Sequence, residues 1–325
     1  MYFSMHKPII MKKILCLFIV AALSITASAQ KKSSAKAYKF DEATMAETLK
    51  FLSSDALQGR KVGTEGIEKA ALYLEEIFRK NSVKPYFATY RDTLSNYDKP
   101  AYNIVGYLEG NDPVLKKEFV IFGAHYDHVG NGKAVMGDSI YNGANDNAAG
   151  STLLTELVNY YAKNKSNKRS IMFCFFSAEE VGLLGSAHLA AKIKAQGTPV
   201  YTMLNFEMIG SPLGMEIDAY ITGYNRSNIA EKLNEYAGKK MIGYTDFEVR
   251  YQLFKRSDNY PFFLELNIPA HTISTTNMET YKLYHQPNDD FSNIDMKHMA
   301  AFVQKIIPVT EKMVNAKTKE IVLKK

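Results

Sequence analysis

The side chains able to bind a metal or move a proton gather first in two neighbouring stretches, EFVIFGAHYDHVG (residues 118–130) and GANDNAAG (residues 143–150). The apolar run Phe119-Val120-Ile121-Phe122 has the length and composition of a buried strand. It stops at Gly123-Ala124 and delivers His125 and Asp127 at its end, where open α/β sheets place ligand-binding groups. Asp146 sits between glycines just before a run of small residues, so that half reads as a tight loop entering a helix. Three further clusters follow: Glu179-Glu180 in FSAEEVGLLGS, Glu207 in NFEMIG, and His285 in the late loop YHQPNDDFSNID. Two imidazoles and several carboxylates suit a borderline cation such as zinc without any thiolate. Such a set can hold two ions when one carboxylate bridges them.

The elements around these residues alternate. Helices are expected over 41–52, with Asp41 as cap, and over 65–80, where Ile67, Ala70, Ala71, Leu74 and Phe78 make one apolar face. Strands are expected at about 86–93, 102–109 and 118–124. Next come a helix at 152–162, a strand at 170–176, a helix at 183–195 and a strand at 200–206. A strand near 217–222, a helix at 226–237, a strand near 246–251 and a helix at 258–266 continue the series. A strand at 270–273 and a long helix at 295–314 close it. This alternation predicts an α/β fold of three layers, α/β/α, with a mixed, mostly parallel sheet and helices on both faces. No internal repeat or Pro/Gly linker divides the chain, so one domain is expected over 39–316, followed by a basic tail at 317–325.

With 325 residues and 46% hydrophobic content the chain can bury a sizeable core. The formal charge of +6 comes from its ends. Six lysines (Lys7, Lys12, Lys13, Lys31, Lys32, Lys36) lie before residue 37, and from Glu311 onward five Lys oppose two Glu. The body is therefore slightly acidic, which argues against a nucleic-acid partner. Met11-Lys12-Lys13, the apolar stretch Ile14–Ile25 and Ala27-Ser28-Ala29 have the three parts of a secretory signal peptide over 1–29, with 1–10 an upstream extension. The apolar run is shorter than the roughly 18 residues a membrane span needs. Export to the periplasm or the exterior is the expectation, with no stable membrane anchor after leader removal and a disordered Lys/Ser/Ala-rich lead-in over 30–38. Cleavage after Ala29 would leave only Cys174, read as a buried core thiol.

In order and spacing the clusters resemble metallopeptidase family 28, the di-zinc aminopeptidases. The resemblance extends to LSSDALQGR, GTEG and AALYLEEIF within 52–78 and to RSDNYPF at 256–262, and so covers nearly all of the chain after the leader. It implies two zinc ions per chain. On this pattern His125 and Glu207 bind the first, Glu180 and His285 the second, and Asp146 bridges them. Asp127 orients His125, and Glu179 is the general base acting on the metal-bound water. Two positions depart from the pattern: Glu207 stands where most members carry Asp, and Asn259 where His is common.

Other polar residues read more plainly. His128 is taken as structural or as a support behind the metal ligands, His188 and His298 as surface or packing residues, and Glu156 and Glu75-Glu76 as solvated helix faces. Asp289 and Asp290 could hydrogen-bond His285 or simply be solvated in the loop, while Tyr251, Arg256 and Tyr260 are near enough in motif order to touch substrate. Three functions fit the resemblance. One is a zinc aminopeptidase acting on peptides with a free N-terminus. The second is a glutaminyl cyclase on the same scaffold, and the third is a catalytically inactive binding relative. The uninterrupted VGLLGSAHLA after Glu180, together with retention of all five ligand positions and Glu179, favours the first.

Overall fold

The computed structural model describes residues 41–324; the expected leader at 1–29 and lead-in at 30–38 lie outside them. Two helices come first, α1 (Glu42–Leu52), whose N-terminal amides are capped by the Asp41 carboxylate, and α2 (Glu65–Lys80). Strands β1 (Lys84–Pro85), β2 (Arg91–Thr93), β3 (Tyr102–Leu108) and β4 (Phe119–His125) follow. A hairpin, β5 (Gly130–Val135) and β6 (Asp138–Tyr141), then precedes α3 (Gly150–Asn164). Strand β7 (Ser170–Phe176), α4 (Leu184–Ala195), β8 (Val200–Phe206), β9 (Ala219–Ile221), α5 (Ile229–Ala237) and β10 (Ile242–Gly243) continue the chain. It ends with α6 (Asp246–Arg250), α7 (Asn259–Leu266), β11 (Ala270–Ser274) and α8 (Met296–Asn315).

Nine strands form one mixed sheet in the order β1-β3-β7-β4-β8-β11-β9-β10, with β2 also paired to β3. Its centre, β7-β4-β8-β11, is parallel, and antiparallel pairs flank it at β3·β7 and β11·β9. Helices cover both faces because the central strands are near-continuous apolar runs that present buried residues to either side. Ile171, Phe173 and Phe175 of β7 point to the core beneath α1, α2, α3, α5 and α8. Met172, Cys174 and Phe176 point to a second core under α4 and α7, where Cys174 is a buried free thiol. A fully buried Phe of this kind contributes roughly 1.5–3 kcal/mol.

Several expectations change. The strand expected near 246–251 is the short helix α6, and the strand expected at 86–93 breaks into bends between β1 and β2. The connector after Asp127 is the β5–β6 hairpin. Glu75 is buried and paired with Arg79 and Arg91, and Glu156 is buried as well. Residues 317–324 lie against the body, with Ile321 buried and Leu323 bridged to Ser227. No helix among the described residues is long and apolar enough to cross a membrane.

His271 on β11 joins three elements. It bonds the Thr222 carbonyl through Nδ1 at 2.7 Å and the Ser227 hydroxyl through Nε2 at 2.7 Å, the latter beside the start of α5. Burial pushes its pKa down to about 4, against the opposing pull of the Thr222 carbonyl. An unfolded chain takes that proton near pH 6.5. The stability carried by the neutral ring is therefore full above about pH 6.5 and declines as pH falls toward 4, where the loss levels off at about 3 kcal/mol. Urea unfolding from pH 7.5 to 4.5 should show His271→Gln losing stability less steeply than the parent by up to one proton's slope. Parallel curves would refute this.

Candidate metal centre

The site lies at the carboxyl ends of the parallel strands. His125 ends β4, directly opposite Phe176, the last residue of β7. Glu179 and Glu180 follow β7 after two residues, and Glu207 follows β8 at once. One carboxylate coordinates this rim: Asp127, fully buried, accepts the Glu179 amide at 3.2 Å on Oδ1 and the Glu180 amide at 3.3 Å on Oδ2. It thereby fixes the backbone of both glutamates. The His125 ring is held by a different atom, with Nδ1 3.2 Å from the Asp127 backbone carbonyl and 3.7 Å from its carboxylate.

Asp146 rides on the loop Ala144–Ala149, where the helical path breaks at Asp146 and Asn147 and the peptide bond between them is cis. Four side chains hold this loop. Asp289 accepts the Asn145 amide at 2.9 Å and the Asp146 amide at 3.0 Å, so it serves Asp146 and not His285 as the sequence suggested. Asn145 takes the Gly210 amide at 2.8 Å, and Asn147 spans from the Phe206 carbonyl to the Gly150 and Met208 amides. Arg60, wholly buried, donates to the carbonyls of Tyr126 (2.8 Å), Asn142 (2.6 Å), Gly143 (3.0 Å) and Leu52. It binds the His125 loop to the Asp146 loop. Neither Arg60 nor Asp289 was marked from sequence for this work, although both stand in segments already noted there. Asp290 instead accepts the Ser292 amide in a short turn.

Potential ligand atoms fall into overlapping groups. His125, Asp146 and Glu207 offer atoms all within 4.8 Å of one another, and so do His128, Asp146, Glu180 and His285. The same closeness holds among His125, Glu179 and Glu180. Asp146 belongs to both of the first two groups. The structure thus brings His125, Asp127, Asp146, Glu179, Glu180, Glu207 and His285 together, and adds His128, whose Nδ1 lies 2.7 Å from Glu180 Oε1. Tyr284 stacks on the His285 ring with centroids 3.9 Å apart. Asp258 is a further addition: it is fully buried and neither of its oxygens has a hydrogen-bond partner. Asn259, by contrast, is a packing residue that accepts from Thr272. His188 and His298 lie apart, beside Asp92 and Thr275.

The donor set fits a bound cation. His285 Nε2 lies 3.1 Å from Asp146 Oδ2 and 3.0 Å from Glu180 Oε2, and His125 Nε2 is 3.4 Å from Asp146 Oδ1. Neither nitrogen makes an aligned hydrogen bond, so two buried imidazole atoms face carboxylate oxygens with no partner of their own. Despite burial, Asp146 and Glu180 are held ionised by His125, His128 and His285, whereas Glu179, Glu207 and Asp258 resist ionisation beside them. Burial, with Asp146 and Glu180 nearby, pushes Glu207 up to about 7, and burial with Asp127 and Glu207 does the same to Asp258. Burial raises Glu179 well above the carboxylate range, with Glu207 and Asp258 adding to it against His125. Burial would lower His285, yet Asp146 and Glu180 raise it to about 10. Divalent cations among these groups would relieve the repulsion and satisfy the bare nitrogens.

The sequence model of peptidase family M28 matches residues 103–310. A probable leucine aminopeptidase of Trichophyton verrucosum is 25% identical over 213 residues, 63% of this chain and 54% of that protein. The chain thus spans about half the length of such curated relatives. The zinc aminopeptidase BSAP from Bacillus subtilis has a similar structure, with a TM-score of 0.65 at 16% identity over 88% of this chain and 98% of that one. A Bacteroides thetaiotaomicron glutaminyl cyclase, solved with N-acetylhistamine, gives 0.64 at 20% identity over 83% and 97%. At such identities the structural likeness concerns the fold.

Proposed function

Because the chain belongs to peptidase family M28, we propose that it is a zinc-dependent exopeptidase that removes N-terminal residues from peptides. The observation that carries this reading is the pair of ligand groups sharing Asp146, with Glu179 beside both. His125, Asp146 and Glu207 would hold one ion, and Asp146, Glu180 and His285 the other. Zinc held there would supply Lewis acidity, lowering the pKa of a water molecule and polarising the scissile carbonyl. The remaining work belongs to the chain. Glu179 takes a proton from the attacking water on its carboxylate and returns it to the leaving amine. Asp127 fixes the glutamate pair through their amides, which keeps Glu179 and Glu180 in distinct directions. His128 meets Glu180 through Nδ1 and so orients the carboxylate toward His285.

The test is the product. Peptides with a free α-amine should release free amino acids stepwise from the N-terminus, and N-acetylated versions should be inert. Ammonia released from glutaminyl peptides with no amino acid set free would transfer the assignment to a cyclase. A protein that binds peptides and turns over neither would be an inactive relative.

A further inference from the structure

Seven arginines occur among the described residues, and five of them are committed. Arg79, Arg91, Arg169 and Arg250 pair with carboxylates, and Arg60 is saturated by carbonyls. Arg226 and Arg256 make no ion pair among the described residues, and they line two neighbouring cavities, of which the one at Arg256 reaches Glu207 of the candidate metal centre. A narrow cavity of about 40 Å³ touches Glu207, Tyr284, Ser257 and Arg256. Beside it opens a basin of about 530 Å³, lined by Tyr224, Arg226, Tyr244, Glu248 and Lys255 among others. The same two chain segments wall both spaces: Thr222, Leu253 and Arg256 face the narrow one, and their neighbours Gly223, Phe254 and Lys255 face the basin. Gly223 has φ +65°, and a Cβ there would stand 2.3 Å from the Phe254 ring, so the close seam between the walls requires glycine.

The charges in the basin are unbalanced. Glu248 is engaged by the wall itself, accepting the Gly223 amide at 2.8 Å. Arg226 lies over the Phe254 ring at 5.7 Å, and Lys255 makes no ion pair among the described residues. Two cations therefore face one engaged carboxylate, with Arg256 a third cation on the wall of the narrow cavity. A guanidinium fork recognises carboxylates by paired, charge-assisted hydrogen bonds. Resting on the exopeptidase reading, we propose that the basin holds a carboxylate of the peptide substrate on Arg226 and Lys255. The carboxylate can come from an acidic first residue or from the C-terminus of a short peptide.

Non-cleavable analogues, with the first amide replaced by a methyleneamino link, separate these sources. Calorimetry on the zinc-loaded protein would compare Leu-Gly-Gly, Leu-Gly-Gly amide and Glu-Gly-Gly amide. At least one carboxylate-bearing peptide should bind about tenfold tighter than the neutral one, the scale of a single charge-assisted hydrogen bond. Preference for Leu-Gly-Gly identifies the C-terminus, and preference for Glu-Gly-Gly amide the first side chain. In the Arg226→Gln/Lys255→Gln double variant the advantage should vanish; both side chains are exposed, so the fold is not at stake. Equal binding of all three peptides by the parent, or an advantage that survives the double substitution, overturns the proposal. The exopeptidase reading fails separately, when ordinary peptides release no amino acid.

Discussion

Glu179→Gln should retain both zinc ions and bind peptides as the parent does, while turnover falls about 10²–10⁴-fold. The amide keeps the shape of the side chain and removes its capacity to accept the proton. The backbone at this position is fixed independently, since Asp127 holds the 179 amide whatever side chain is attached. The adjacent residue gives the contrast. Glu180 meets His128 at 2.7 Å and His285 at 3.0 Å, inside the group that would bind an ion, so Glu180→Gln should lower zinc content. Zinc analysis and steady-state kinetics on the two variants decide the matter. Loss of zinc from Glu179→Gln, with both ions kept by Glu180→Gln, would exchange the roles.

Removing the metal is expected to abolish peptide hydrolysis and to soften the fold at once. Stripped of cations, Asp146, Glu179, Glu180 and Glu207 remain crowded at one end of the sheet, and the bare Nε2 atoms of His125 and His285 stay buried. A ligand present at a thousandfold excess over its dissociation constant stabilises by about 4 kcal/mol. For a chain of this size that corresponds to a Tm difference on the order of 10 °C. Scanning calorimetry of chelated and zinc-reloaded protein, alongside activity, tests both effects. A chelated protein with unchanged Tm and undiminished hydrolysis would remove the basis for a metal mechanism.

The sequence was most legible where a pattern is long and local. The apolar face of α2 and the strand runs of β4, β7 and β8 are defined by residues that lie within one element. Short or non-local features were not legible. Asp246–Arg250 alternates apolar and charged residues like a strand, but five residues are too few to separate the two periods. In the helix Phe247 is buried while Val249 is exposed, and Glu248 turns inward to receive the Gly223 amide. The β5–β6 hairpin has no buried face along most of its length, so hydrophobic patterning says nothing about it. Glu75 looked solvated because its partner Arg91 comes from a strand sixteen residues away. The same holds at the centre: the ligand types could be read along the chain, but the supports under them could not. Asp289 reaches the 145 and 146 amides across more than 140 residues, and His128 reaches Glu180 across 52.

The carbonyl clamp of Arg60 bears on how such a chain can be inherited or subdivided. The stretch matched by the family model begins at residue 103, yet the guanidinium that fastens Tyr126 to Asn142 and Gly143 lies more than forty residues upstream. Recombination that exchanged residues 103–310 alone would pass on every candidate ligand without the brace between their two loops. A substitution at Arg60, in the turn between the two opening helices, therefore bears directly on the centre, and the smallest transferable cassette starts before Arg60.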